Sequence, residues 1–178
     1  MSRQLIVVDL ETTGLDADVH RILEVAAINT STGDVLHFAP RIDSADLGCA
    51  DGNAMQVNRY YERGAWKMML NDAATIDQYN KLQEMLRGNT FAGSNPTFDS
   101  QFLMCTGINF TPAVWHHRLA DLAAYAAGAL GIPPNELVGL GDICERLGVD
   151  PGVAHSALDD AKATAECFAR LTTLKGGK

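Results

Sequence analysis

A short apolar run closed by two acids does most to limit what this chain can fold into. Leu5-Ile6-Val7-Val8 is followed at once by Asp9-Leu10-Glu11. A run this short and this rich in branched residues reads as a buried strand over Arg3 to Leu10. Asp9 and Glu11 are two apart, so in a strand their side chains leave the same face. The carboxyl end of a strand is also where open α/β sheets place ligands. Two carboxylates fixed there repel each other, and hard oxygen donors of this kind suit Mg²⁺ or Mn²⁺. The same pair fits a solvated strand end in any protein, so its meaning depends on its company. Thr12-Thr13-Gly14 then breaks the strand, with Gly14 free to take the positive φ of a turn.

The rest of the chain alternates. A second strand is expected over Ile22 to Asn29, turn chemistry at Ser31-Thr32-Gly33-Asp34, and a returning strand over Val35 to Ala39. Residues 43 to 70 carry short helices. Helices are expected over Ala73 to Leu86, Thr97 to Met104, Asp121 to Leu130, Leu140 to Leu147 and Ser156 to Leu174. Between them lie a strand over Asn89 to Gly93 and another over Val114 to Arg118, with Gly131-Ile132-Pro133-Pro134 a loop. A hairpin followed by alternating helices and strands gives an α/β fold, a mixed sheet covered by helices. The 178 residues suit a single domain with its core over about residues 5–174, and the tail Lys175 to Lys178 is expected to fray.

Composition removes several classes. With 47% hydrophobic and 20% charged residues the chain is an ordinary globular one. No apolar run approaches the roughly 18 residues of a membrane span, and Leu5 to Leu10 is too short and too acidic for a signal peptide. The four cysteines, Cys49, Cys105, Cys144 and Cys167, form no metal-type cluster and are expected to be free thiols in a reducing cytoplasm. A net charge of −8 argues against a broad basic grip on phosphate backbone. It leaves room for acids gathered around cations at one place.

Three further residues have such a setting. Asp160 lies beside the stripe Ala157, Ala161, Thr164, Phe168 and Leu171, the inward face of the last helix. An acid next to that face needs a cation or a strong donor. Ser156-Ala157-Leu158-Asp159 resembles a capping box, which gives Asp159 a structural task. His155 stands five residues before Asp160, and a histidine accepts a proton near neutral pH. His20, His37, His116 and His117 lack such company and read as ordinary surface or strand residues. Asp99 follows the turn Asn95-Pro96-Thr97-Phe98 into a helix, where it is equally a first-turn charge or a ligand.

Taken together, these segments resemble the DEDDh group of 3′–5′ exonucleases, which includes proofreading subunits of bacterial DNA polymerases. Asp9-Leu10-Glu11-Thr12-Thr13-Gly14-Leu15-Asp16 is similar to the first exonuclease motif, Asn95-Pro96-Thr97-Phe98-Asp99 to the second, and His155-Ser156-Ala157-Leu158-Asp159-Asp160-Ala161 to the third. The histidine of the third motif marks the DEDDh branch. The resemblance implies a ribonuclease H-like fold with a central five-stranded mixed sheet. It implies that Asp9, Glu11, Asp99 and Asp160 hold two divalent metal ions, Mg²⁺ or Mn²⁺, with His155 as general base. Thr12 and Leu15, and Asn95 less directly, resemble positions that meet the terminal nucleotide. The implied activity is release of nucleoside monophosphates from a nucleic-acid 3′ end, single-stranded DNA or RNA. A DNA polymerase is an implied partner. Ser94 stands where relatives often carry histidine, and residues 43 to 70 resemble the family only loosely, so substrate preference is expected to be set there.

Two rivals belong to other classes. A phosphatase with an aspartyl nucleophile also starts from an acid pair after a strand, but its second acid is Asp where Glu11 stands here. A catalytically idle nucleic-acid- or polymerase-binding module would keep the fold and lack a ligand, and none of the five residues is missing.

Overall fold

The computed structural model describes residues 2–108 and 110–176. Strands β1 (Leu5–Thr12), β2 (Ile22–Asn29) and β3 (Val35–Phe38) form an antiparallel meander. Strands β4 (Thr90–Gly93) and β5 (Ala120–Asp121) add in parallel on the other side of β1, giving the order β3-β2-β1-β4-β5. The expected five-stranded mixed sheet is therefore present. Ile6, Val7 and Val8 have no exposed surface, as a central strand covered on both faces requires.

Alternation along the strands feeds two cores. Ile6, Val8, Leu10, Val25, Ala27 and Phe91 face α3 (Asp72–Leu86) and α4 (Pro96–Cys105), whose Tyr79, Leu82, Leu86, Phe102 and Leu103 close one side. Val7, Ala26, Ile28 and Ala92 face the other side, covered by α5 (Leu122–Leu130), α6 (Leu140–Leu147) and α7 (Ala157–Gly176). On α7 the expected stripe is buried throughout: Ala157, Ala161, Thr164, Phe168 and Leu171 are each at most 6% exposed. Asp9 and Glu11 share the parity of Val7, so they continue the face that looks toward α7.

Residues 43 to 70 do carry short helices, α1 (Ser44–Gly48), α2 (Gly52–Asn58) and a 3-10 turn at Ala65–Met68. Asp51 caps α2 by accepting from the amides of Asn53 (2.7 Å) and Ala54 (3.0 Å).

Two expectations need correction. Val114 to Arg118 is not a strand. Trp115 is drawn under the sheet against Phe91, ring centroids 5.1 Å apart, and the backbone makes isolated bonds to Gly88 and Asn89 instead of a ladder. The fifth strand is instead the two-residue β5, paired through Ala92–Ala120 and Gly93–Asp121. Helix α7 runs to Gly176, and residues 177–178 of the expected tail lie outside the described residues. Gly14 is not among the positive-φ glycines, and its lack of a side chain has another cause. A Cβ there would lie 2.3 Å from the His20 ring, which packs over it.

Candidate active site

Each acid reaches the site for a local reason. The parallel β1–β4 ladder stops at Val7–Ala92, which leaves the Leu10 amide without a strand partner. Asp99 fills that place, its Oδ1 accepting from Leu10 N at 2.9 Å. It can do so because the chain turns sharply from β4 into α4. Gly93 lies so close to β1 that a Cβ would meet the Val8 carbonyl at 3.0 Å, and Asn95 takes a left-handed conformation (φ 70°) at the start of α4. Asp160 comes from the first turn of α7, and its Oδ2 accepts the His155 amide at 3.0 Å. His155 itself is exposed and holds a positive φ of 58°, uncommon for a side-chain-bearing residue. Asp159 is structural as expected but not through a capping box. It accepts from Val153 N at 3.3 Å and pairs with Lys162.

The result is convergence. Donor atoms of Glu11, His155 and Asp160 lie within 4.8 Å of one another. Asp9 sits two residues along the same strand face, and the Asp99 charge acts on it more strongly than that of Glu11, Asp160 or Glu24. Among the described residues no hydrogen-bond donor reaches the carboxylate of Asp9 or Glu11. Burial, then the neighbouring acids, pushes Asp9 well above the usual carboxylate range. Burial together with Asp160 raises Glu11 to about 8, against an opposing pull from Arg63. Burial lifts Asp99 to about 7 although the Leu10 amide works the other way. Burial also raises Asp160, offset in part by its contacts with His155. The four acids repel one another and Asp9 and Glu11 lack donors, and a hard divalent cation satisfies both needs. The donor set therefore fits a divalent metal ion.

Beside the acids opens a cleft of about 500 Å³. Thr12 and Leu15 line it from the strand-end turn. Leu15 is 83% exposed, an apolar side chain offered to solvent, whereas the Thr12 hydroxyl is already used, donating to the Gly14 carbonyl at 2.7 Å. Asn95 is exposed and does not line this cleft; its contribution here is the turn that delivers Asp99.

For the opposite wall, sequence reasoning pointed to the segment 43 to 70 but named none of its residues. Asp51, Asn53, Ala54, Val57 and Asn58, from α2 and its cap, face the cleft together with Phe98. It also missed Glu24, 1% exposed and directly opposite Glu11 in the β1–β2 register, which pairs with Arg63 at 2.7 Å and His37 at 2.8 Å. His37 is thus not an ordinary strand residue. A lone acid within the apolar strand Ile22-Leu23-Glu24-Val25-Ala26-Ala27-Ile28 was the available signal, since such a residue cannot be buried unpaired.

Comparison with known proteins agrees with the fold. The sequence model of a family described as exonuclease matches residues 6–168. A PolC-type DNA polymerase III of Thermotoga petrophila is 26% identical over 170 residues, 95% of this chain and 12% of the polymerase. Ribonuclease T of Buchnera aphidicola is 28% identical over 184 residues, covering 93% of this chain and 81% of that enzyme. Among solved structures, the zinc-bound exonuclease I–single-stranded DNA complex of E. coli superposes with a TM-score of 0.75 at 22% identity, over 97% of this chain and 41% of that one. The fold is therefore the ribonuclease H-like one expected. The chain spans about an eighth of the length of the polymerase it matches and under half of exonuclease I.

Proposed function

This chain belongs to the exonuclease family, and on that premise we propose that it shortens nucleic acid from the 3′ end by divalent-metal-assisted phosphodiester hydrolysis. The observation that carries the reading is the convergence of donor-poor acids with an exposed histidine at the mouth of a cleft that has an apolar wall.

In this reading Asp9, Glu11, Asp99 and Asp160 hold two ions, Mg²⁺ or Mn²⁺. When bound, such ions supply a nucleophile at neutral pH and stabilise charge on the leaving oxygen. His155 takes the proton of the attacking water through a ring nitrogen, and its amide bond to Asp160 keeps it beside the acids. The phosphorus–oxygen bond to the departing 3′ oxygen breaks, releasing a nucleoside 5′-monophosphate and leaving a new 3′ hydroxyl. Leu15 and Phe98 offer apolar surface on which the terminal base packs. Single-stranded DNA is the proposed substrate, and a DNA polymerase the proposed partner, by analogy with the matched relatives. RNA is the second reading, favoured by the ribonuclease T match over most of that enzyme's length. Residues 5 to 174 act as one domain in this proposal. Its setting is the cytoplasm, in keeping with four free cysteines. No helix among the described residues is long and apolar enough to cross a membrane.

The test is digestion of matched 5′-labelled DNA and RNA oligonucleotides in Mg²⁺, Mn²⁺ or EDTA. The expected result is a metal-dependent ladder shortening from the 3′ end, abolished by Asp9→Ala and reduced about 10²–10⁴-fold by His155→Ala. A folded wild-type protein that shortens neither polymer with metal present would overturn the proposal. The faster polymer identifies the substrate.

A further inference from the structure

Of the three buried acids among the described residues, Glu11 and Asp99 belong to the acidic cluster and Glu24 does not. Glu24 nevertheless has the better partners. Its Oε2 accepts from Arg63 Nη2 at 2.7 Å and its Oε1 meets His37 Nε2 at 2.8 Å. Arg63 is only 12% exposed and is engaged a second time, donating from Nε to the Asn58 carbonyl at 2.7 Å. Asn58 in turn donates from Nδ2 to the Thr12 carbonyl at 3.0 Å, while its Oδ1 accepts the Tyr60 amide at 3.0 Å. At the other end of α2, the Asp51 amide donates to the Thr13 carbonyl at 2.7 Å. A continuous chain of bonds thus runs from β2 through Arg63 to the α2 wall of the cleft and back to the strand-end turn of β1.

The arrangement suits orientation better than stability. Buried ion pairs contribute little net stability, because desolvation offsets their attraction. A planar guanidinium bonded to two acceptors, by contrast, fixes angles as well as distances. Such fixing is needed here, since α2 has seven residues and a helix of that length does not hold itself in place.

We propose that Glu24, Arg63 and Asn58 form a positioning strut that holds the α2 wall against the end of β1 and thereby sets where the terminal nucleotide lies. The inference rests on the exonuclease reading and adds to it a determinant of substrate placement. Arg63 is a positioning residue, acting through Asn58 and Thr12.

The test compares wild type with Arg63→Lys, Asn58→Ala and the double variant, using deoxyadenosine monophosphate binding by calorimetry alongside oligonucleotide kinetics. Arg63→Lys keeps the charge and loses the two-point fork. The expected result is about a tenfold weaker nucleotide Kd and a matching rise in KM, with kcat within about threefold. The thermal shift produced by Mg²⁺ stays unchanged because the four acids are intact. The double variant loses no more than the worse single one, as members of one chain of bonds must. Should Arg63→Lys not fold, Glu24→Gln, which breaks the strut at its far end and away from the cleft lining, carries the same expectation. A variant that melts earlier yet keeps Kd and KM within twofold of wild type would reduce the strut to a structural pair, and additive single effects would refute it. Wild-type protein that binds the nucleotide more tightly than the variants but trims nothing would sink the exonuclease reading and leave the strut standing. Wild-type protein that binds no nucleotide overturns the strut.

Discussion

Gly14 shows how one missing side chain can be dictated from six residues away. The His20 ring occupies the space a Cβ would need, and its Nδ1 lies 3.2 Å from the Asp16 backbone. Gly14→Ala should therefore displace the ring at a cost of about 1 kcal/mol, and His20→Ala in the same chain should recover most of it. Chemical denaturation of the two variants measures both changes, and equal losses in the single and double variants would show that the ring is not the obstacle. At this scale the sequence was informative wherever chemistry is local. Asp9, Glu11 and His155 could be read from their neighbours along the chain. Glu24 and Arg63 could not be paired, because 39 residues separate them and only the folded sheet brings them together.

Among the elements, α7 was the most legible, since its apolar stripe recurs at helical spacing from Ala157 to Leu171. That stripe contains one discord. Thr164 is 1% exposed and its hydroxyl has no partner among the described residues. Replacing it with Val keeps the shape and removes the unsatisfied oxygen, so Thr164→Val should stabilise the protein by about 1 kcal/mol. A lower melting temperature in that variant would mean that the hydroxyl has a partner in solution. The β5 strand was illegible for the opposite reason. Two residues held by two parallel pairings carry no periodicity, whereas Val114 and Trp115 have strand-forming character that their burial beneath the sheet overrides. The residues of the wall built from α2 could not be named within their segment, because a helix so short is specified by its cap and its tertiary anchors more than by its pattern.

At the scale of the whole molecule the acids set a pH dependence whose sign follows from their shifts. Asp9, Glu11, Asp99 and Asp160 are all raised, so across the interval from the ordinary carboxylate range to about pH 8 the folded chain holds protons that the unfolded chain has released. Stability in EDTA should accordingly fall as pH rises through that interval. Glu24 acts in the opposite sense: burial opposes its ionisation, but the bonds from His37 and Arg63 prevail and lower it. Its contribution is present above the ordinary carboxylate range and is lost as pH falls through its folded value. Melting curves in EDTA and in Mg²⁺ between about pH 5 and 8 check the balance. The gain from Mg²⁺ should be largest at the alkaline end, and a gain independent of pH would count against the acids as its source. The anchoring of Asp99 to the Leu10 amide gives this coupling a mechanical side. Asp99 belongs to the layer on one side of the sheet, Asp160 to the layer on the other, and Asp9 and Glu11 to the strand between them. An ion held by all of them would rivet three separately packed parts at one point. Chelation would then loosen the two layers from each other as well as silence the chemistry, and amide exchange in α4 and α7 would quicken together.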